Sequence, residues 1–423
     1  MKFLVVGSGG REHALLWALK REQPDAVLLA APGNAGTALL ATNIPIPADG
    51  IADLVDLAAR ERVDLVVVGP EGPLALGLAD RLRSRGIPTF GPGGPAAQIE
   101  ASKAWSKDIM AAAGVPTASS RTFSDLALAL QYIDAHPEPL VVKASGLAAG
   151  KGAVVCATRA EAAAAARAML GTRVFGAAGD LVVVEAFLEG EELSVLALTN
   201  GSDVAILPPA QDHKRLLEGD RGPNTGGMGA YSPVALDTPE LRAKVVSRVL
   251  APTLAELARR DAPFSGVLYA GLMIDRNGDP WVVEFNCRFG DPETQVILPR
   301  IATGLVAALD ACARGARLPD LTISSNAAVT TVLAARGYPD EPQKGAAITI
   351  PVDLPTGALV FHAGTRRDDA GILRAAGGRV LAVTGVGATF AAAQAVSRAA
   401  AERIEFDGKQ FRRDIGWREA ARG

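Results

Sequence analysis

Groups able to do chemistry crowd into the run from Trp281 to Gln295, WVVEFNCRFGDPETQ, at the end of an apolar strand. Val282, Val283, Phe285 and Cys287 are apolar, whereas Glu284 and Asn286 are polar and two apart, so in a strand both project from one face. A carboxylate and an amide oxygen side by side are hard donors that suit Mg²⁺, which fills its other positions with water and phosphate. Arg288 follows, where a guanidinium could grip a phosphate or a carboxylate with two nitrogens. Asp291, Pro292 and Glu293 read as a helix start, with an N-cap acid, proline at the first helical position and an acid in the first turn. The competing interpretation makes Glu284 and Asn286 the solvated face of an edge strand.

Such side chains need a frame, and a chain of 423 residues has room for two to four domains of roughly 100–200 residues. The formal net charge is −3, without the basic footprint that a nucleic-acid partner requires. Cys156, Cys287 and Cys312 are far apart and include no CxxC pair, which argues against a disulfide framework or a zinc ribbon, and the four histidines do not cluster. Met1 to Val6 is too short for a signal peptide, and no apolar run reaches membrane-spanning length. The expectation is a cytoplasmic protein with neither nucleic acid nor membrane as partner.

In the first third, an apolar strand at 3–6 runs into the turn Gly7 to His13 and a helix through Leu19, which makes an anion site at a helix N-terminus. Strands at 26–30, 65–68 and 89–90 alternate with helices near 51–61 and 74–85, predicting a doubly wound parallel sheet with its ligand at the strand carboxyl ends. A dinucleotide fold is disfavoured, because position 12 is Glu rather than a third glycine and Ala30, Ala31 and Pro32 stand where a ribose-binding acid belongs. With Arg11 beside the turn a single phosphate fits better; the alternative is a turn that needs glycine for backbone reasons alone.

A helix over 95–113 carries Lys103 and Lys107, and a smaller unit follows. It has a helix near 125–135, strands at 140–143, 153–157 and 181–184, and a helix at 160–170. Lys143 ends an apolar strand, a costly place for an ammonium unless it faces an anion. The loop from Ala144 to Gly152 lacks a P-loop ending, since Ala153 follows Gly152, so it reads as a lid over phosphates or, more plainly, as a hairpin turn. The linker from Glu185 to Ser194 offers backbone to an adenine edge and carboxylates to a ribose, leading to strands at 192–199 and 203–208. Residues 211–229 read as a long functional loop. A helix near 238–260 and a strand at 267–274 lead back to the opening run, and a helix fills roughly 295–315. Beyond Pro319, strands at 327–334, 346–350, 358–362 and 379–383 and a helix near 389–403 make a domain that packs and frames.

Seven motifs in order, GSGGREH from Gly7, APGNAG from Ala31, Gly69-Pro70-Glu71, Lys143 with GLAAGKG from Gly146, QDHKR from Gln211, GPNTGGMGAYSP from Gly222 and RFGDPETQ from Arg288, resemble the glycinamide ribonucleotide synthetase (phosphoribosylamine–glycine ligase) family. The resemblance covers essentially the whole chain. It implies an α/β ATP-grasp fold: an N-terminal doubly wound parallel-sheet domain for phosphoribosylamine (1–100), a central domain (101–120 and 193–323), a small mobile lid (121–192) and a small C-terminal mixed α/β domain (324–423). It implies ligation of glycine to 5-phosphoribosylamine with ATP, through glycyl phosphate, in a monomer or weak homo-oligomer. Two departures stand out: Ser145 where the family expectation is Asp, and Ala186 where Glu is common.

The resemblance also implies roles. Glu284 and Asn286 would hold Mg²⁺ or Mn²⁺, Lys103 and Lys143 would neutralise phosphates under the lid residues Gly146, Gly150, Lys151 and Gly152, and Arg288 would steady the transferring group. Glu185 and Glu192, with the backbone of Phe187 and Leu188, would bind adenosine, and Asp212 and Lys214 would surround glycine. Gly9, Gly10 and Arg11 would take the sugar phosphate, and Asn34 or Glu71 the ribose. Another ATP-grasp carboxylate–amine ligase or carboxylase, a non-catalytic ATP-binding protein and a nicotinamide oxidoreductase are the competing classes.

Overall fold

Strand Lys2–Gly7 lies at the centre of a sheet ordered Thr42–Asn43, Val27–Pro32, Lys2–Gly7, Leu65–Val68, Thr89–Phe90, with every pairing parallel. The computed structural model describes residues 1–148 and 151–422. The continuous apolar runs are explained by burial of both sheet faces: Phe3 and Val5 pack with helix Gly10–Glu22, and Leu4 and Val6 with helices Ile51–Arg60 and Leu78–Ser84. At the strand end Gly7 has φ +126°, and a Cβ there would lie 2.6 Å from Glu12 Cγ, so only glycine allows this turn into the helix.

Strands Val204–Ile206, Glu191–Thr199, Gly266–Ile274 and Pro280–Asn286 form an antiparallel sheet in that order. A second antiparallel sheet, Ser120–Phe123, Val182–Ala186, Leu140–Ala144 and Ala153–Cys156, closes over its own core with helices Leu126–Ala135 and Arg159–Ala166. The 144–152 loop joins the two strands of a hairpin in it. The third is ordered Gln211–Asp212, Gly229–Ser232, Ala327–Ala334, Arg379–Gly387, Ala358–His362, with helix Phe390–Arg403 packed on it. No helix among the described residues is long and apolar enough to cross a membrane.

Several expected elements are divided. The 74–85 helix is two, Glu71–Ala75 and Leu78–Ser84, because Gly77 is left-handed at φ +79°. The 95–113 helix breaks at Ser102, whose side chain accepts the Trp105 N–H and starts helix Lys103–Ala113 afresh. The 295–315 helix is interrupted by strand Ile301–Thr303 and resumes at Leu305–Arg314 after Gly304 at φ +94°. Residues 211–229 are not an open loop: they hold the edge strand Gln211–Asp212 and the hairpin Arg215–Leu217 with Arg221–Asn224. The expected strand at 346–350 makes only isolated bridges at Ala347 and Thr349.

Candidate functional site

One extra residue aims the acidic strand. Gly271 pairs with Glu284 but the next residue, Leu272, pairs with Val282, so Val283 is a bulge. The bulge shifts the alternation: Val282, Phe285 and Cys287 are buried, while Trp281, Glu284 and Asn286 keep partial exposure on the other face. Without it Glu284 would share the buried face of Val282.

Glu284 makes no hydrogen bond or ion pair among the described residues, although it is enclosed. Burial pushes its carboxyl up, but Lys214, Lys143, Lys103 and Arg288 outweigh that and hold it below the ordinary carboxylate value. An ionised, unpaired carboxylate beside the Asn286 amide oxygen, ringed by cations, fits a divalent ion bound together with phosphate. Asn286 Oδ1 accepts from Arg288 Nη2 at 3.2 Å.

The lysines arrive from three elements. Lys103 begins its helix, and burial lowers its ammonium's pKa against the pull of Glu284. Its helix N-terminus is tied to the hairpin loop: Lys103 N–H donates to Ser145 O at 2.8 Å and Ala104 N–H to Ser145 Oγ at 3.1 Å. The departure at Ser145 thus supplies a hydroxyl that fastens the loop. Gly146 passes so close to Ala178 that a Cβ would sit 2.6 Å from its Cα, and a Cβ on Gly152 would be 2.7 Å from Ala148 Cβ. Lys151 is exposed, and Gly150 lies outside the described residues. Lys143 Nζ is 2.9 Å from Glu185 Oε2 and donates to Val283 O, the bulge carbonyl, at 2.9 Å. Lys107 reaches the other oxygen of Glu185 at 3.2 Å and donates to Thr117 Oγ1 at 2.7 Å. The Glu185 carboxylate, 4 % exposed, therefore serves two lysines and is not presented to a ribose.

Asp212, Lys214, Glu192, Ser194, Leu272 and Val283 line one recess. Lys214 Nζ is 2.9 Å from Glu192 Oε2; burial opposes its charge, but Glu192, Asp212 and Glu284 lift the ammonium well above its usual value. Burial raises the Asp212 carboxyl to about 8, with Lys214 opposing and Glu293, Glu192 and Glu284 adding to the rise. Beside the linker a cleft of about 430 Å³ opens between Pro139, Phe187, Leu188 and Trp281.

A second cluster joins the first sheet to the others. Arg288 pairs with Glu71 at 3.2 Å and Glu100 at 2.8 Å. Burial raises the Glu71 carboxyl, but Arg288 and Arg11 bring it down to about 2. Arg11 is buried, its Nε 2.6 Å from Glu12 Oε1 and its Nη1 donating to Phe289 O at 3.0 Å, so two of its five N–H groups are engaged within the chain. Glu12 also accepts the Gly9 N–H at 2.5 Å, occupying the helix start with an anion of the chain itself, and a Cβ on Gly10 would be 2.7 Å from Gln295 Nε2. Asn34 donates to Ser8 O and His362 O, each at 2.8 Å, and accepts from Gly36 and Thr37, a clasp with no valence left for a ribose. Asp291 is not the helix cap and Glu293 is not in its first turn: the helix begins at Thr294 with Glu293 at the N-cap position and no side-chain capping bond, Asp291 meets Arg379 at 3.3 Å and Gln295 at 2.8 Å, and Glu293 accepts from Tyr269 Oη at 2.7 Å.

Residues 1–100, 101–294 and 328–418 match the N domain, the ATP-grasp (A) domain and the C domain of phosphoribosylglycinamide synthetase. The chain belongs to this family. A relative from Nostoc sp. named phosphoribosylamine–glycine ligase is 50 % identical over 99 % of both chains, and one of the same name from Escherichia coli is 45 % identical over 100 % of this chain and 99 % of its own. The crystal structure of phosphoribosylamine–glycine ligase from Thermotoga maritima superposes with a TM-score of 0.86 at 35 % identity, covering 98 % of this chain and 100 % of that one. A biotin carboxylase domain from Hydrogenobacter thermophilus, 20 % identical with a TM-score of 0.74 over 97 % of this chain and 91 % of its own, shares the fold. The synthetase is an ATP-dependent ligase on the ATP-grasp fold.

Sequence reasoning missed Glu100, Arg379 and Tyr269 in this synthetase. Glu100 is 7 % exposed and accepts the Cys287 N–H at 2.7 Å as well as pairing with Arg288. The available signal was an acid among the buried Ala96, Ala97 and Ile99.

Proposed function

We propose that this enzyme ligates glycine to 5-phosphoribosylamine, with ATP as co-substrate and glycyl phosphate as intermediate, to give glycinamide ribonucleotide, ADP and phosphate. The observation that carries the reading is the enclosed, unpaired Glu284 carboxylate ringed by Lys103, Lys143, Lys214 and Arg288. Phosphoryl transfer needs this combination, because its barrier is met by positioning and by neutralising phosphate charge. Mg²⁺ or Mn²⁺, held by Glu284 and Asn286, supplies part of that neutralisation when bound.

The adenine end lies against the backbone of Phe187 and Leu188, with Glu192 toward the ribose. Lys103, Lys143 and Lys151 meet the phosphates beneath Gly146 and Gly152. Glu185 acts by holding Lys143. Glycine occupies the Asp212 and Lys214 recess, where Lys214 steadies its carboxylate while an oxygen attacks the γ-phosphorus and ADP leaves. Arg288 steadies the phosphoryl group. The amine of phosphoribosylamine then attacks the acyl carbon, phosphate departs and the amine loses a proton. Residues 144–148 and 151–152 exclude water, which would hydrolyse the acyl phosphate. Gly9, Gly10 and Glu71 border the sugar phosphate, with Arg11 and Asn34 fixing the loops that receive it. The enzyme works in the cytoplasm as a monomer or weak homo-oligomer.

ADP release is measured with ATP, Mg²⁺, glycine and freshly generated phosphoribosylamine, then with each omitted. Release should require all four, with a product of the mass of glycinamide ribonucleotide. Release that ignores phosphoribosylamine and follows another amine or acid would overturn the substrate assignment.

A further inference from the structure

We infer that the C-terminal segment from Arg412 to Arg418 is a clasp that positions Asp212 and Lys214, with Arg412 as its central positioning residue. The inference rests on the assignment of those two residues to the glycine recess. Asp212 ends the two-residue edge strand Gln211–Asp212, and the backbone that follows is held on one side by Gly229, Met228 and Thr225, with His213 N–H donating to Gly229 O and Thr225 N–H to Lys214 O at 2.8 Å each. The next residue, His213, is 1 % exposed, and its Nε2 accepts the Gly416 N–H at 2.8 Å while Nδ1 faces Asp220 Oδ1 at 3.6 Å. Gly416 has φ +78°, and a Cβ on it would come within 2.4 Å of Phe390, so only glycine brings this N–H to the imidazole.

Arg412 closes the arrangement. It is 1 % exposed, forms a two-nitrogen pair with Asp414 at 2.8 Å for each bond, and places Nη1 2.9 Å from Asp220 Oδ1 and 3.0 Å from Arg215 O. Asp414 in turn accepts the Gly219 N–H at 2.8 Å, and Arg418 holds the second Asp220 oxygen at 2.6 Å. The hairpin that follows Lys214 is therefore gripped through Arg215, Gly219 and Asp220, and the residue before Lys214 through its ring. A planar guanidinium satisfies two carboxylates and a carbonyl at fixed angles, which a lysine ammonium cannot reproduce. Lys214 lines the recess between these anchors, its carbonyl held by Thr225, so loss of the C-terminal contacts leaves that pairing alone to set its ammonium relative to Glu192 and Glu284.

The test is Arg412→Lys, assayed for all three substrates with thermal unfolding alongside. The expected result is a fall in kcat/KM for glycine on the order of tenfold, as for small displacements of a positioned group, with KM for ATP changed by less than about twofold. Equal changes for glycine and ATP, or kinetics unchanged while the melting temperature drops, would overturn it. If Arg412→Lys does not fold, Arg418→Ala, which removes only one partner of Asp220, is read on the same criterion. A Lys214→Ala background separates this inference from the substrate assignment: whichever kinetic parameter Lys214→Ala alters, Arg412→Lys must alter the same one and add little in the double variant. Full additivity would refute the clasp even if glycine does bind at Lys214.

Discussion

Acidification should loosen the junction between the first sheet and the C-terminal sheet, because two histidines are buried there in their neutral form. His13 and His362 are each 6 % exposed, their ring centroids are 5.5 Å apart, and His13 Nδ1 accepts the His362 N–H at 2.8 Å. Burial pushes the His13 imidazole from 6.5 to about 3, with the neighbouring His362 adding, and burial with Arg367 takes His362 to about 4. Folded values below the unfolded value of 6.5 mean that stability is complete above 6.5 and is lost as pH falls from 6.5 toward 4 and 3. At pH 5 an unfolded imidazole lies about 1.5 units below its midpoint, and at about 1.36 kcal/mol per unit each histidine then costs about 2 kcal/mol, or about 4 kcal/mol for both. Imidazole NMR titration of the four-histidine chain and urea unfolding at pH 7.5 and pH 5 measure this directly. His13→Gln should reduce the stability lost between those pH values by about 2 kcal/mol. A His13 or His362 signal titrating near 6.5 in the folded protein, or an undiminished loss in His13→Gln, would refute the reasoning.

Glu284→Gln should raise the Mg²⁺ concentration needed for half-maximal activity by tenfold or more, since even outer-shell partners of a metal are worth roughly 10–100-fold in affinity; an unchanged metal titration would count against Glu284 as a ligand. Glu185→Gln leaves Lys107 and Lys143 buried without their anion, and removing one partner of a buried pair costs roughly 3–5 kcal/mol. Its melting temperature should fall and recover with saturating ATP in a thermal-shift series, whereas a direct ribose contact would leave unliganded stability intact. Glu100→Gln frees Arg288 from its shorter partner, and kcat should fall on the order of tenfold with little change in KM for ATP; a change confined to KM would place Arg288 in ground-state binding instead.

The legibility of the site divides along physical lines. Strands at 65–68, 89–90, 327–334 and 358–362 stand where apolar runs place them, because burial of both faces or one leaves a direct trace in residue type. Helix breaks at Gly77 and Ser102 were missed because one left-handed glycine or one capping hydroxyl outweighs an otherwise continuous helical pattern. The acids at 291 and 293 match a helix-start pattern, yet tertiary partners, Arg379 and Tyr269, claim both.

Residue types and their order carried the ATP-grasp resemblance and singled out Lys143, Glu284 and Asn286 at the ends of apolar strands, where a charge such as that of Lys143 is costly without a partner, whereas Lys103 and Lys214 were marked through the resemblance. Tertiary structure alone decided which of the marked groups are available to a ligand. Asn34 has its amide saturated by Ser8, His362, Gly36 and Thr37, while Arg11 is engaged by Glu12 and Phe289 and Glu185 by Lys107 and Lys143, contacts several of which span long stretches of chain. Glu284 keeps partial exposure on the face opposite Val282 because a single extra residue, Val283, shifts the strand's alternation. Both outcomes depend on which distant backbone and side-chain atoms lie within about 3 Å, a distance that local pattern does not encode.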